Sequence, residues 1–354
     1  GLLDECIKSL EKAGILYVVL GGVIPNPRIE LVRTGVEIAK KENVDMIIAV
    51  GGGSVIDSAK AIAYGAKYDG DVWDFYSKKA VATEALPIGV ILTMAATGSE
   101  MSDSSVISND ESMEKRGYNS DLCRPKFSIL DPALTVTLPA YQTAAGCVDI
   151  LMHTFERYFT SKGNMRLTDE ISEGLYRTVM DSAIILRDNP EDLDARGEVM
   201  WAGSLSHNGL TDCGNGGKDF ATHKLEHKLS AKFDVTHGAG LAALWGSWAR
   251  YVFDECPERF FRFATKVMHI ACDIETPDSD EVKKIGLQGI EATENFFRSI
   301  NMPTSLHELG VEIDDNDLID MAKRCAAVNG SHIGSCKVLD ESDMLAIYRM
   351  AFAR

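Results

Sequence analysis

The chain has 354 residues, 45% of them hydrophobic, with 53 Asp and Glu against 36 Lys and Arg and a net charge of −17. That length is more than one ordinary core holds, so two domains are expected. The acidic balance argues against nucleic acid and anionic membranes as partners, since both reward excess Lys and Arg; it leaves an anionic cofactor open, because backbone N–H groups can hold a phosphate.

The chain opens at Gly1 on a helix-like pattern, Leu2-Leu3-x-x-Cys6-x-x-x-Leu10, with no Met and no basic-then-apolar leader, and a start further upstream is expected. "ILYVVLGGV" at 15–23 reads as a strand running into a turn, and 28–42 has apolar residues at helical spacing. "DMIIAV" at 45–50 reads as a short buried strand and 54–66 as a helix. "LPIGVILT" at 86–93 and "KFSILDP" at 126–132 are further strands. Short apolar strands alternating with helices predict an α/β layer with parallel pairing. After 138–142 the pattern changes: 144–159, 167–186, 194–208, 241–253 and 280–299 carry helical periodicity, and strand-like alternation almost disappears. An α/β domain over 1–140 followed by an all-helical one over 141–354 is predicted, with a cleft between them as the place for chemistry. No apolar run reaches membrane-spanning length. The eight cysteines form no C-x-x-C pair and read as reduced thiols of a cytoplasmic protein.

"AVGGGSVIDSAK" at 49–60 sets three glycines between a strand and a helix. Glycines there let the backbone approach a ligand, and the helix N-terminus beyond offers unpaired N–H groups, which together suit a pyrophosphate. Ser54-x-x-Asp57 also resembles a capping box, which would make the stretch only a capped turn. The G-x-G-x-x-G fingerprint is not present. "TMAATGSEMSDSS" at 93–105 follows the next strand and reads either as a surface loop or as a second ligand-facing loop at a strand end.

"GCVDILMHTFERYF" at 146–159 places Asp149 and His153 four residues apart on one helix face. "HKLEHKLSAKFDVTH" holds His223, His227 and His237, the last opening a glycine-containing turn. One carboxylate with several neutral imidazoles suits a divalent first-row metal; taken singly, each element reads first as a surface or hydrogen-bonded contact, and their combination beside the glycine turn shifts the balance to a metal. His207 reads as a buried, hydrogen-bonded histidine, and Trp201, Trp245 and Trp248 as packing residues.

Together, "GGGSVIDSAKAIA", "ATGSE", "ILDPALTVTLP", "GCVDILMHTFERY", "ATHKLEHKLSAKFDVTHGAGLA" and "KVLDESDMLAIYRMA" resemble the iron-containing, or group III, alcohol dehydrogenases. "WAGSLSHNGL" is similar to the bacterial butanol dehydrogenase branch. The resemblance implies a Rossmann-like nucleotide-binding domain before a helical metal-binding domain, an architecture shared with dehydroquinate synthase. It implies that Asp149, His153, His223 and His237 hold one divalent metal, Fe2+ ahead of Zn2+, with His227 as a non-ligand histidine that moves a proton near substrate. Gly52, Gly53, Ser54 and Asp57 would hold the dinucleotide, with Asn26 near the adenosine side and Thr93, Thr97, Ser102, Ser104 and Lys115 along the rest of its path. Two departures stand out. The family's Thr-Thr pair is Thr93-Met94 here, and its first strand and following glycine loop do not occur in the sequence. The branch places NADP(H) slightly ahead of NAD(H). The implied partners are a short primary alcohol or aldehyde and a second copy of the chain, with no nucleic acid and no membrane. A dehydroquinate synthase-like or glycerol dehydrogenase-like enzyme and a non-catalytic metal-binding protein are the alternatives.

Overall fold

The computed structural model describes residues 1–160 and 165–354. The first part holds helices α1 (Leu2–Lys12), α2 (Ile29–Lys41), α3 (Gly53–Gly65) and α4 (Trp73–Tyr76) and strands β1 (Ile47–Gly51), β2 (Ile88–Leu92), β3 (Ser104–Asn109), β4 (Glu114–Asn119) and β5 (Phe127–Ile129). The second part is helical: α5 (Ala140–Tyr158), α6 (Arg166–Asp188), α7 (Leu193–His207), α8 (Ala221–Phe233), α9 (His237–Val252), α10 (Pro257–Lys266), α11 (Ser279–Ser299), α12 (Asp315–Val328) and α13 (Glu341–Phe352).

β1, β2 and β5 form a parallel sheet in the order β1-β2-β5, with Ala49 opposite Val90 and Gly89 opposite Phe127. Ala49, Val90 and Leu92 pack with Ile56, Ile62 and Ile29 of α3 and α2 in one apolar core. A parallel sheet needs such helical cover because its strands are joined by crossovers. The carboxyl ends of β1 and β2 open towards the second part, where open α/β sheets place ligands. That second part has its own core, in which Phe155, Tyr176, Trp245, Trp248 and Phe263 pack around α5 and α9.

Two expectations are corrected and one is refined. Residues 15–23 form no strand, and Leu16 is 98% exposed. An apolar run becomes a strand only where another strand accepts its hydrogen bonds, and among the described residues none pairs with it. The 93–105 stretch is a loop as far as Asp103, as expected, and runs into an antiparallel hairpin, β3 with β4, which pairs Ser105 with Tyr118 and Ile107 with Arg116. His237 begins helix α9 rather than a turn. Trp245 and Trp248 are buried, whereas Trp201 is 51% exposed.

Candidate functional site

Asp149, His153 and Glu156 stand at i, i+4 and i+7 on α5, which sets them on one face, and all three are buried. His223 and Glu226, also buried, project from α8 with His227 beside them. Helix α8 ends on Asp234 in the left-handed conformation (φ 51°), and the chain turns there to begin α9 at His237. Two close approaches bring these helices together. A Cβ on Gly238 would lie 2.0 Å from the carbonyl oxygen of Ala145, so only glycine lets α9 start against α5. A Cβ on Gly146 would lie 2.4 Å from the carbonyl oxygen of Ala95, so α5 in turn abuts the loop after β2.

Asp149 Oδ1 is the focal atom. It lies 3.5 Å from His153 Nδ1, 3.7 Å from His223 Nε2 and 3.7 Å from His237 Nε2. Asp149 Oδ1, His153 Nδ1 and His223 Nε2 are buried without a hydrogen-bond partner. Orphaned polar atoms facing one another are costly, and a cation between them would satisfy all of them. A carboxylate with imidazoles is the donor set of a divalent first-row metal, so the residues present fit one. Burial, with His207 and His223 close by, holds His153 well below the usual histidine range and therefore neutral, as a ligand must be. Burial acts in the same direction on His223, but the facing Asp149 and Glu156 carboxylates outweigh it and raise it to about 9. A metal there would displace that proton.

Two buried glutamates, not singled out in the sequence, complete the cluster. Glu156 Oε1 accepts from His223 Nδ1 at 3.0 Å and from the His223 backbone N–H at 2.9 Å. Glu226 Oε2 accepts from His237 Nδ1, and its Oε1 accepts from Ser230 Oγ. Lys115, buried on β4, brings Nζ to 3.5 Å from Glu226 Oε2 and donates to Asn26 Oδ1 at 2.9 Å. Asn26 Nδ2 donates to Asp234 Oδ1 at 2.8 Å. Lys115 and Asn26, expected along the cofactor path, thus also tie the first part of the chain to α8 and to the turn before α9. The spacing H-x-x-E-H and the i+7 acid after Asp149 were the available signals for the glutamates. His227 is half-buried, with its ring 5.8 Å from that of His237; burial and the nearby Lys115 push its pKa well below the ordinary histidine value. His207 is hydrogen-bonded, as expected: Nδ1 donates to the carbonyl oxygen of Thr97 at 3.0 Å, and its ring lies 4.1 Å from that of His153.

The histidines sit in a cavity of about 850 Å3 that reaches the N-terminus of α3. Asn26, Gly53, Ser54, Asp57, Thr97, Ser102, Ser104 and Lys115 line it together with Asp149, His153, His223, His227 and His237. Of the expected site residues, Gly52 and Thr93 are not among its lining. They stand at the strand ends, where the Thr93 N–H donates to the Gly51 carbonyl at 3.1 Å. The capping box does not form: Gly52 is the N-cap and no side chain caps α3. Asp57 instead accepts from Ser99 Oγ at 2.6 Å and from the Val106 N–H at 2.9 Å. One turn on, buried Lys60 donates to the carbonyls of Ser99, Ser102 and Ser104. These two residues of α3 hold the 99–106 stretch in place, through its backbone and the Ser99 hydroxyl. The uncapped N–H groups of α3 are left for a ligand. Lys115, Arg116, Arg157 and Lys218 also line the cavity, but each has an acidic partner: Glu226, Glu114, and Asp212 for the last two.

The description "Iron-containing alcohol dehydrogenase" matches residues 1–132, and "Fe-containing alcohol dehydrogenase family, C-terminal" matches residues 143–352. The chain belongs to the iron-containing alcohol dehydrogenase family. It is an oxidoreductase of the alcohol dehydrogenase type. It is 43% identical over 349 residues to a probable NADH-dependent butanol dehydrogenase 1 of Bacillus subtilis, covering 99% of this chain and 88% of the relative. It is 40% identical over 353 residues to NADH-dependent butanol dehydrogenase A of Clostridium acetobutylicum, with the same two coverages. The NADPH-dependent aldehyde reductase YqhD of Escherichia coli is 34% identical over 319 residues, covering 88% of this chain and 79% of that one. Among solved structures, NADH-dependent butanol dehydrogenase A of Thermotoga maritima superposes with a TM-score of 0.93 at 38% identity, over 99% of this chain and 87% of that one. No helix among the described residues of this iron-type dehydrogenase is long and apolar enough to cross a membrane.

Proposed function

We propose that the protein interconverts short primary alcohols and their aldehydes, butanol and butyraldehyde among them, with a nicotinamide coenzyme and one divalent metal, Fe2+ ahead of Zn2+. One observation carries the reading. Three imidazoles converge on the Asp149 carboxylate inside a cavity that runs to the uncapped N-terminus of α3. Asp149, His153, His223 and His237 would hold the metal; Gly53 and Ser54 would meet the coenzyme's pyrophosphate, with Gly52 shaping the turn. When bound, the metal supplies Lewis-acid stabilisation of charge on the substrate oxygen, and the nicotinamide supplies or accepts hydride.

The chain's own residues do the rest. Asp57 and Lys60 hold the loop bearing Thr97, Ser102 and Ser104 along the coenzyme's path. Asn26 and Lys115 close the cleft from the other side. His227 stands beside the cluster without being needed as a ligand and would carry the alcohol proton at an imidazole nitrogen.

For the coenzyme we infer NADH ahead of NADPH. This reverses the ordering expected from the sequence; the 43% and 40% identical relatives carry NADH in their names, and the 34% identical one carries NADPH. A lyase acting on a carboxylate- and phosphate-bearing substrate is disfavoured, because the 43% and 40% identical relatives are named as butanol dehydrogenases. Residues 1–140 and 141–354 as domains, a homodimer and a cytoplasmic location belong to the same proposal. The test is oxidation of NADH and of NADPH on adding butyraldehyde, alongside metal analysis of the same sample. No oxidation of either coenzyme with metal bound would overturn the reaction, and faster oxidation of NADPH would overturn the coenzyme preference.

A further inference from the structure

The cluster contains two histidines held in the same way. His223 has Nδ1 on Glu156 Oε1 and Nε2 at 3.7 Å from Asp149 Oδ1. His237 has Nδ1 on Glu226 Oε2 and Nε2 at 3.7 Å from the same Asp149 oxygen. In each case the carboxylate is an acceptor only, so it fixes a proton on Nδ1 and leaves Nε2, which faces Asp149, as the nitrogen available to a metal. His153 has no such partner: its Nδ1 is itself the orphaned atom turned to Asp149.

We infer that Glu156 and Glu226 are positioning residues that set the tautomer and ring direction of His223 and His237 for the metal, an assignment resting on the metal reading above. Neither glutamate lines the cavity, so neither acts on substrate. Their burial is what makes this costly arrangement informative. Glu156 and Glu226 are 2% and 0% exposed, and a buried carboxylate survives only where its partners repay the lost hydration.

The two acids are not equivalent. Glu156 takes two N–H groups of a single residue, the side chain and the backbone of His223, and so ties the ring to the first turn of α8. Its other oxygen, Oε2, is buried without a partner. Glu226 has both oxygens occupied, and its charge is met by Lys115 from the other part of the chain. The geometry therefore makes Lys115 part of the support of His237 as well as of the cleft. Carboxylates behind metal-binding histidines fix the tautomer and raise ligand basicity, and losing one typically costs about 10–100-fold in metal affinity.

The experiment loads the full chain with Co2+ and reads both its visible absorption and its rate of loss to a chelator. Wild type is compared with Glu156→Gln and Glu226→Gln, which keep shape and remove charge, and with Glu226→Asp. The Gln variants should lose Co2+ about 10–100-fold faster with a shifted absorption band, and Glu226→Asp should recover part of the loss. Melting temperatures of the metal-free proteins separate this from general destabilisation. Because Glu226→Gln leaves Lys115 buried without its counter-charge, the double variant Lys115→Met/Glu226→Gln is measured as well, and it too should lose Co2+ fast. If wild type holds Co2+ and the Gln variants hold it equally long with an unchanged spectrum, the positioning role is wrong and the metal site stands. If wild type itself takes up no Co2+, both assignments fall together.

Discussion

The two sides of the cleft are built by different means. On the helical side the groups that matter are side chains, fixed by other side chains: Asp149, His223 and His237 converge, with Glu156 and Glu226 behind them. On the sheet side the groups that matter are backbone, fixed by two residues of one helix: Asp57 and Lys60 grip the 99–106 stretch through N–H and carbonyl groups. The difference follows from what each side is to hold. A small cation needs a few charged or lone-pair donors at set positions, and helices with locked rotamers supply these. A long anionic coenzyme needs many weak contacts from N–H groups and close backbone approach, which a glycine turn and a clamped loop supply. Damage on one side should therefore leave the other intact, except at Lys115, which reaches across from β4 to Glu226.

The largest effect is expected at the centre of the metal side. Asp149→Asn keeps the shape and removes the charge that offsets a divalent cation. Metal content after dialysis should fall close to zero and turnover with it, while coenzyme titration stays as in wild type. Full metal occupancy in this variant would mean that the metal sits elsewhere. His227→Ala should come next, since removing an acid–base group typically costs about 10²–10⁴-fold in rate. Its metal content and coenzyme affinity should match wild type; loss of metal would show that His227 is a ligand and that the assignment within "HKLEH" needs revision.

A third variant tests the packing that brings the two helices of the metal side together. Gly238→Ala puts a methyl 2.0 Å from the Ala145 carbonyl, which α9 can relieve only by moving away from α5. Overpacking of this kind costs about 1–3 kcal/mol, readable by thermal denaturation, and metal should dissociate faster because His237 starts that helix. An unchanged melting curve would show that the close approach is not needed. The smallest effect is expected on the sheet side. Gly52→Val sets a branched side chain at the turn, where even a Cβ meets Met94 Cβ at 3.1 Å. Coenzyme affinity should weaken about tenfold, equivalent to roughly 1.4 kcal/mol, with metal content untouched. A nicotinamide titration identical to wild type would remove the phosphate role from this turn.

Helices were the most legible part of the fold in the sequence, because their periodicity is a local property. Residues 280–299 were expected as a helix and α11 spans Ser279–Ser299; 167–186 became α6 at Arg166–Asp188. Two of the three parallel strands were each placed within two residues of their ends, since short buried runs between helices have few other uses. The parallel sense of the sheet was legible from the strand–helix alternation, but which runs find a partner was not. The apolar run at 15–23 has the composition of a strand and no partner, whereas Ser104–Asn109, rich in hydroxyls, is a strand because Glu114–Asn119 lies opposite it.

The same division runs through the site. By itself the sequence determined which chemistry was available: a carboxylate and an imidazole four apart on one helix, two imidazoles four apart on another, and a glycine turn at a strand end. These are spacings within one element, where 3.6 residues per turn decides what shares a face. Only the tertiary structure decided that Asp149 Oδ1 would be the common focus, that Glu156 and Glu226 would take the far side of two rings, and that Asp57 would clamp a loop instead of capping its own helix. Those contacts join different elements of the chain. They depend on how closely backbones approach at Gly146 and Gly238, a property of packed neighbours rather than of any local run of residues.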